Sequence, residues 1–259
     1  MKLVVNADDF GLTENVSKAI IKGLKEGFLT STSAMTCADD FQKSAQTALE
    51  QGITHMGVHT TLTVLRPTLP LERVRTLVNE EGRFYGAKEF MMKEVDISEC
   101  RAELENQIRI LLSTGLILDH LDSHHGLMQK NREFTKMYLD LAEKYQVPLR
   151  NEFCRYIGDD HDLIMEELNS RGIRVTDYLY GNRDFSEKGL ADLETFLKEY
   201  TGKIDSAEYF CHVGYSDDRL RSISSLNDLR ETEYHFMRSK EVKDLYRKYE
   251  VDLITYEGV

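Results

Sequence analysis

The chain has 259 residues, 41% of them hydrophobic and 30% charged, and a formal net charge of −12. This acidity argues against nucleic acid or an anionic membrane as a partner, although a local cationic pocket for a phosphate remains compatible with it. No apolar run reaches the roughly 18 residues of a membrane span. The first residues lack the basic and apolar regions of a signal peptide, so we expect a cytoplasmic protein. Composition leaves the oligomeric state open, including a homo-oligomer.

Strand-like and helix-like segments alternate along the chain. Strands are predicted at residues 2–5, 30–37, 53–59, 116–121, 147–150, 173–177, 208–212 and 252–255. Helices are predicted at residues 13–28, 40–51, 97–112, 132–145, 160–170, 187–200 and 230–249. About eight strands in this alternation, without a linker-like break, predict a single α/β domain over residues 1–259 that forms a closed or nearly closed (β/α) barrel.

Residues 60–93 form the longest irregular stretch, and they hold two of the three prolines, Pro67 and Pro70. A loop of this length inside a compact domain usually has a function, most often as a lid or a binding wall. We therefore expect this loop to form one wall of a substrate cleft. The alternatives are a surface insertion and a dimer contact.

Two adjacent carboxylates, Asp8 and Asp9, follow the first predicted strand. Parallel α/β folds carry their chemistry at the carboxyl ends of strands. Neighbouring side chains on extended backbone point to opposite sides, so one carboxylate could hold a metal while the other handles protons. From this segment alone, a solvated turn that caps the next helix is an equally good interpretation.

Histidines follow three other predicted strands. His59 ends the third strand, His124 and His125 follow the fourth, and His212 ends the strand at 208–212. One carboxylate and two imidazoles leave open positions on a divalent cation, which suits catalysis better than a closed structural site. Asp8 or Asp9 as base and His212 as acid would complete a metal-assisted hydrolase. A single histidine is more often structural, but the position of all these histidines at strand ends favours a site.

Three further residues near strand ends have two interpretations each. Asp122 could orient a ligand histidine or cap a turn. Arg66 and Arg150 could grip a sugar or a phosphate, although most arginines are simply solvated. His125 adjoins His124 on a segment expected to be extended, so it should point away from the metal.

Several sequence blocks together resemble the YdjC-like carbohydrate deacetylases: NADDFGL at 6–12, TSTSAM at 30–35, GVHTTL at 57–62, HLDSHH at 120–125, CHVGY at 211–215 and SSLNDLRETE at 224–233. The resemblance covers nearly the whole chain. It implies an irregular (β/α) barrel similar to polysaccharide deacetylases, and one divalent metal ion, Mg²⁺ or Zn²⁺. By this resemblance the metal is held by Asp9, His59 and His124, with Asp8 as general base.

The chain departs from the family pattern in two places. Residues 126–128 are Gly-Leu-Met where family members carry further histidines, and residues 212–214 read His-Val-Gly instead of His-Pro-Gly. The three metal positions are unaffected, whereas the replaced histidines are expected to line the sugar cleft.

The predicted function is removal of the acetyl group from an N-acetylated amino sugar or a short chitooligosaccharide, with phosphorylation of the substrate left open. Arg66, Phe84 and Tyr85 of the long loop, and Arg150, are expected near this small carbohydrate. The alternatives are another barrel metallohydrolase, such as an amidohydrolase or a phosphoesterase, and a non-catalytic sugar-binding protein.

Overall fold

A parallel β-sheet is the framework of the molecule. The structure, a computed structural model, describes residues 1–155 and 159–259. In these residues the strands run in the order β4-β3-β2-β1-β6-β5, with β7 beside the start of β1. The strands are β1 (Lys2–Phe10), β2 (Ser31–Ala34), β3 (His55–Thr60), β4 (Ile117–Ser123), β5 (Tyr178–Tyr180), β6 (Ser206–Cys211) and β7 (Asp252–Leu253).

All the strand pairs of this sheet are parallel, so the carboxyl ends of the strands lie at one edge. The central strand β1 pairs with β2 through Asn6 and Ser31, and with β6 through Val4 and Glu208. Both faces of β1 are buried from Leu3 onwards. A run of buried apolar residues is what a parallel sheet covered on both sides requires. The predicted α/β fold is confirmed.

Helices connect the strands and cover the sheet. They are α1 (Glu14–Glu26), α2 (Phe41–Glu50), α3 (Ala87–Met92), α4 (Ile97–Ser113), α5 (Arg132–Tyr145), α6 (Asp159–Ser170), α7 (Glu187–Tyr200), α8 (Asp218–Ile223), α9 (Asp228–Met237) and α10 (Lys240–Lys248). The helix α1 shows why its bounds were predictable: the Thr13 side chain accepts the N–H of Val16, and Gly27 ends the helix with φ 74°. Within the described ranges, none of these helices is both long and apolar enough to cross a membrane.

Two predicted strands, at 147–150 and 173–177, are not regular strands. Their backbone nevertheless joins the outer strands of the sheet. The N–H of Leu121 donates to the carbonyl of Pro148, and the N–H of Arg150 donates to the carbonyl of Leu121, both over 3.0 Å. The N–H of Leu149 donates to the carbonyl of Arg174 over 3.0 Å, and the N–H of Asp177 donates to the carbonyl of Ser206 over 3.1 Å. These bonds link β4 to β6 through irregular backbone. Pro148 has no N–H to donate, which explains why no regular ladder forms there.

Further elements differ from the sequence prediction, including α3, which lies inside the stretch predicted to be irregular, and β5, which follows the strand predicted at 173–177. The strand β1 continues through Asp8 and Asp9 to Phe10. The helix predicted over 230–249 is two helices, because Ser239 caps a new helix by accepting the N–H of Val242. The short helix α8 was not predicted.

The long loop is anchored at both ends. The Lys130 ammonium, which follows the His124 segment, donates to the carbonyls of Phe90, Met91 and Lys93 at the end of α3, over 2.8 to 2.9 Å. Near the start of the loop, the Thr63 hydroxyl lies 2.9 Å from Nδ1 of His125. The loop is therefore fastened to the segment that carries His124 and His125.

Candidate active site

The sheet brings five predicted site residues to one place at the carboxyl ends of its strands. Nε2 of His59 lies 3.1 Å from Nδ1 of His124 and 3.4 Å from Oδ1 of Asp9. The remaining pair, His124 Nδ1 and Asp9 Oδ1, is 3.5 Å apart. Nε2 of His212 lies 3.9 Å from Oδ2 of Asp8. Residues separated by up to about 200 positions in the chain thus share a single site.

The backbone at Asp9 differs from the sequence expectation. Asp9 has φ 68°, in the left-handed region, and the register between β1 and β2 shifts between Ala7 and Phe10. A bulge with a positive φ changes the direction of a side chain. The two carboxylates therefore do not point to opposite sides, since Asp8 and Asp9 both approach His59 Nε2, at 3.9 and 3.4 Å. A left-handed non-glycine residue is strained, and such strain is common at functional sites.

The two oxygens of Asp9 have different surroundings. Oδ2 accepts a hydrogen bond of 2.5 Å from Arg230. Oδ1 is buried and has no hydrogen-bond donor among the described residues. Burial alone would raise the pKa of Asp9, but the charge of Arg230 and the neighbouring His124 outweigh it and hold the pKa well below its usual value. A buried, ionised oxygen without a donor is free to bind a cation.

The donor set around this oxygen fits a divalent metal ion. One carboxylate oxygen and two imidazole nitrogens, from Asp9, His59 and His124, lie within 4.8 Å of one another. Nitrogen and oxygen ligands of this kind bind Zn²⁺ and other divalent cations. Three ligands leave coordination positions for a water and a substrate atom.

The ring of His59 is oriented from behind by a carboxylate. Nδ1 of His59 lies 2.9 Å from Oδ1 of Asp122, and Ser33 donates to Oδ2 of Asp122 over 2.6 Å. Burial would lower the pKa of His59, but the carboxylates of Asp122 and Asp8 raise it to about 9. This contact fixes the ring and directs Nε2 to the site, as is usual for metal-binding histidines. Of the two interpretations of Asp122, the structure supports the orienting one.

Arg150 is the centre of a second buried cluster. Its guanidinium donates to both oxygens of Asp8, over 2.6 and 2.9 Å, and to Glu208 over 2.8 Å. It also lies 3.0 Å from Oδ2 of Asp122. The Arg150 side chain is only 4% exposed and faces three carboxylates, which argues against the expected contact with substrate. An unpaired carboxylate at this depth would be costly, and the arginine gives each of the three a partner.

Asp8, His59 and Asp122 form a second group whose atoms are close enough for a metal ion. Arg150 already compensates both carboxylates of this group. Burial would raise the pKa of Asp8, but the charges of Arg150 and His59 lower it below its ordinary value. Asp8 is therefore an ionised carboxylate in a fixed orientation.

His212 lies beside Asp8, with Nε2 of its ring 3.9 Å from Oδ2 of the carboxylate. Its backbone N–H donates to Oε2 of Glu233 over 2.9 Å. Burial lowers the pKa of His212 to about 4, so the imidazole is neutral at pH 7. His125 does not point away as expected, because its φ is 61° and its ring lies 3.8 Å from that of His124, centroid to centroid.

The loop residues expected near substrate have three different environments. Phe84 is only 3% exposed and belongs to the hydrophobic core, which argues against the expected stacking of its ring on a sugar. Its N–H donates to the carbonyl of Leu65 over 2.8 Å, which holds the loop together. Arg66 is exposed and donates to the Glu81 carbonyl at 3.1 Å. Tyr85 is half-buried and lines a surface cleft.

Sequence reasoning missed three charged residues that support the site: Arg230, Glu233 and Glu208. Arg230 and Glu233 lie on the helix α9, and both are buried. A signal existed, because both belong to the block at 224–233 that resembles the family. Glu208 is a charge inside a predicted strand, which is typical of a buried residue with a specific partner.

Comparison with known proteins agrees with this architecture. Residues 2–248 match the YdjC-like protein family. A carbohydrate deacetylase of Enterococcus faecalis is 33% identical, with 100% of this chain and 98% of that protein covered. A carbohydrate deacetylase of Thermoanaerobacter pseudethanolicus is 31% identical, with 98% and 97% covered.

The solved structures give the same result. The crystal structure of a proposed cellobiose-phosphate cleavage protein from Enterococcus faecalis has a TM-score of 0.88 and 32% identity, with 99% of this chain and 98% of that chain covered. A lactam utilization protein of Thermus thermophilus shares the fold at 13% identity, with a TM-score of 0.52 and coverage of 98% and 100%. The chain thus belongs to the YdjC-like protein family, and it is an enzyme of the carbohydrate deacetylase class.

Proposed function

We propose that the protein hydrolyses the acetamide group of an N-acetylated amino sugar with the help of one divalent cation. The observation that carries this proposal is Oδ1 of Asp9, a buried carboxylate oxygen with no hydrogen-bond donor among the described residues. It faces the ring nitrogens of His59 and His124, beside the pair formed by Asp8 and His212. The substrate class follows from the names of the full-length relatives.

Asp9, His59 and His124 would hold the cation. When bound there, a divalent cation supplies Lewis acidity that polarises the amide carbonyl and lowers the pKa of the attacking water. Two imidazoles and one carboxylate favour Zn²⁺ on ligand grounds, and Mg²⁺ is the alternative that the family resemblance suggests. The group of Asp8, His59 and Asp122 is the weaker candidate, because Arg150 already pairs with both of its carboxylates.

Asp8 is the group that accepts the proton of the attacking water. Arg150 holds both of its oxygens, which keeps the carboxylate ionised and fixes its orientation. Oδ2 of Asp8 lies 3.9 Å from Nε2 of His59 and 3.9 Å from Nε2 of His212. Asp8 is thus close both to a proposed metal ligand and to the second proton carrier.

His212 delivers a proton to the leaving nitrogen. An amide nitrogen departs as an amine only when it is protonated. Because burial keeps His212 neutral at pH 7, the imidazole first accepts the proton that Asp8 has taken from the water. It then donates this proton to the leaving nitrogen. One proton of the water therefore travels from Asp8 to His212 and ends on the amine, while the water oxygen becomes part of acetate.

One helix, α9, positions both halves of this machinery. Arg230 binds the outer oxygen of Asp9, and Glu233 binds the backbone N–H of His212. The N–H of Gly214, two residues after His212, donates to the carbonyl of Arg230 over 3.3 Å. The separation between Asp9 and His212 is thus set by a rigid element.

The experiment that tests the function is acetate release from N-acetylated mono- and oligosaccharides, with and without a phosphate, using metal-loaded protein. The variant His212→Ala should retain the metal and lose amide hydrolysis by about 10²- to 10⁴-fold. An acetate ester of a nitrophenol, whose leaving group needs no proton, should be affected much less. The exposed residue His55 offers a matched control in the variant His55→Ala.

Two outcomes would contradict the proposal. If the wild-type protein releases no acetate from any N-acetylated sugar, the substrate class is wrong. If His212→Ala loses ester and amide hydrolysis equally, His212 binds substrate or supports the fold and is not the proton donor.

A further inference from the structure

The segment at 252–259 lies at the end of the sheet opposite to the proposed catalytic residues. Its strand β7 pairs with the first residues of β1, and Nζ of Lys2 donates to the carbonyl of Gly258 over 3.1 Å. Parallel strands all begin at one edge of a sheet and end at the other. The segment is therefore placed at the amino ends of the strands, whereas Asp8 lies near the carboxyl end of β1.

Within residues 252–259, Tyr256 is the only buried residue. Its ring stacks on that of His120, with the centroids 3.8 Å apart and the planes inclined by 12°. A Cβ at Gly57 would lie 2.3 Å from Cε1 of His120, so glycine at this position gives the His120 ring its space. The blocks GVHTTL and HLDSHH thus build the surface on which Tyr256 packs.

The Tyr256 hydroxyl connects this segment to the charged cluster around Arg150. It donates to Oε2 of Glu208 over 2.5 Å, and Oε1 of the same carboxylate accepts the Nε–H of Arg150 over 2.8 Å. The two Nη groups of Arg150 donate to the two oxygens of Asp8, over 2.6 and 2.9 Å. A continuous series of hydrogen bonds between buried side chains therefore links Tyr256 to Asp8.

The geometry of a guanidinium transmits the position of Glu208 to Asp8. A guanidinium is planar, so its Nε–H and its two Nη groups turn together. The bond from Nε to Glu208 therefore sets the direction in which the Nη groups face Asp8. Burial raises the pKa of Glu208 above its ordinary value, while Arg150 and the Tyr256 hydroxyl each act to lower it. The hydroxyl thus favours the ionised carboxylate that Arg150 needs as a partner.

Competition among carboxylates for Arg150 makes the hydroxyl important. Three carboxylate oxygens lie within 3.0 Å of Nη2 of Arg150: Oδ1 of Asp8 at 2.6 Å, Oε1 of Glu208 at 2.7 Å and Oδ2 of Asp122 at 3.0 Å. A guanidinium prefers to bind both oxygens of one carboxylate. While Tyr256 holds Oε2 of Glu208, only Oε1 faces the arginine. Without the hydroxyl, Glu208 can turn both oxygens to Arg150 and draw it away from Asp8.

We propose that Tyr256 is a positioning residue for Asp8, acting through Glu208 and Arg150 from the opposite end of the sheet. The inference rests on the proposed function, in which Asp8 accepts the proton of the attacking water. A base acts only when its oxygen is within hydrogen-bond reach of that proton, so a rotated Asp8 lowers the rate and not the affinity for substrate. The alternative is that Tyr256 only fills space. Removal of its hydroxyl would then change stability without changing the reaction.

The test is the variant Tyr256→Phe, which keeps the ring on His120 and removes only the hydroxyl. With metal-loaded protein and an N-acetylated sugar, kcat should fall roughly tenfold while KM and the bound metal stay at wild-type values, because Asp8 is misplaced. The matched control is Tyr249→Phe, since the Tyr249 hydroxyl also donates to a glutamate, Glu194, over 3.2 Å. An unchanged kcat in Tyr256→Phe would overturn the proposal, and so would an equal loss in the control.

A double-mutant cycle shows whether the hydroxyl acts through Glu208. The variants are Tyr256→Phe, Glu208→Gln and the double variant, each measured well below its midpoint of thermal unfolding. If the hydroxyl acts through Glu208, the double variant should lose about as much kcat as Glu208→Gln alone. Losses that multiply would show that the two residues act independently, and this would overturn the proposal.

A spectroscopic measurement separates failure of this inference from failure of the proposed function. The nitrogen and proton NMR resonances of the Arg150 Nε–H group report its bond to Glu208 without any substrate. In Tyr256→Phe these resonances should shift and their exchange with solvent should become faster, while Tyr249→Phe should leave them unchanged. This result supports the positioning role even if no acetate is released. Unchanged Arg150 resonances would overturn it, even if the protein proves to be a deacetylase.

A second substitution covers the case in which Tyr256→Phe does not fold. Replacement of Tyr256 with 3-fluorotyrosine keeps the ring and makes its hydroxyl a stronger hydrogen-bond donor. The Arg150 Nε–H resonances should then shift, while the same replacement at Tyr249 should leave them in place. Resonances that respond to neither replacement would overturn the proposal.

Discussion

Two buried clusters meet at the dipeptide Asp8–Asp9, and they differ in how their charges are balanced. Around Asp8, the guanidinium of Arg150 contacts three carboxylates. Around Asp9, Arg230 binds one oxygen, while the other faces His59 and His124 and has no hydrogen-bond donor in the described part of the chain. In the first cluster both oxygens of Asp8 already have a donor. In the second cluster one oxygen of Asp9 is available to a metal ion.

The difference shows that composition alone does not identify a metal site. Both clusters contain His59 and an aspartate within ligand distance. What separates them is the position of the nearest arginine. A guanidinium that binds both oxygens of Asp8 competes with a metal ion there, while a guanidinium on one oxygen of Asp9 leaves the other oxygen available to a cation. Four experiments follow from this comparison.

Removal of a ligand from the Asp9 cluster should have the largest effect. We expect His59→Ala and His124→Ala each to lose bound metal completely, because three protein ligands leave none to spare. Elemental analysis after desalting measures this directly, with His55→Ala as the control at an exposed position of the same strand. Stoichiometric metal in His59→Ala would show that the ligand set is wrong.

Substitution of Asp8 should show whether this residue acts as a general base or as a metal ligand. Asp8→Asn should retain the metal and the fold and lose about 10²- to 10⁴-fold in kcat, because general-base catalysis typically contributes that much. Elemental analysis and acetate release are measured on the same preparation. If Asp8→Asn loses the metal instead, Asp8 is a ligand, and the Asp8 cluster rather than the Asp9 cluster is the metal site.

Arg230 should affect metal affinity without being a ligand. Arg230→Gln removes the contact that holds Oδ2 of Asp9, and substitutions of groups that orient ligands typically cost 10- to 100-fold in metal affinity. Calorimetric titration of the metal-free protein measures this constant, with the exposed Arg247 replaced in the control Arg247→Gln. An unchanged metal affinity would mean that Asp9 is oriented by its own backbone.

The smallest effect concerns Glu233, and it appears as a pH dependence of stability. Burial raises the pKa of Glu233 to about 8, from an ordinary value of 4.5. A raised pKa in the folded state contributes stability that is complete below pH 4.5 and is lost as the pH rises through about 8. Glu233→Gln, which keeps an acceptor for the His212 N–H, should therefore gain in Tm relative to wild type between pH 5 and pH 8. Parallel Tm curves for the two proteins would contradict the raised pKa.

The sequence determined the α/β class, most of the helix bounds and the residues at the strand ends. Helical periodicity and capping are local, which explains why α5 and α7 begin and end where the pattern predicted. Asp9, His59, His124 and His212 could be placed at one edge because parallel strands end on one side of a sheet. Their roles rested on a family resemblance and on chemistry, and these roles remain predictions.

Only the tertiary structure decided how each of these residues is used. Pro148 breaks a strand that the apolar pattern predicted, and a left-handed φ turns Asp9 to the same side as Asp8. Arg150 carries the same charge as any surface arginine, and only the fold reveals that it lies among three carboxylates. The physical reason is that periodicity and propensity describe a residue relative to its own segment. Ion pairs, carboxylate oxygens without a hydrogen-bond donor, and clefts arise between segments that are far apart in the chain.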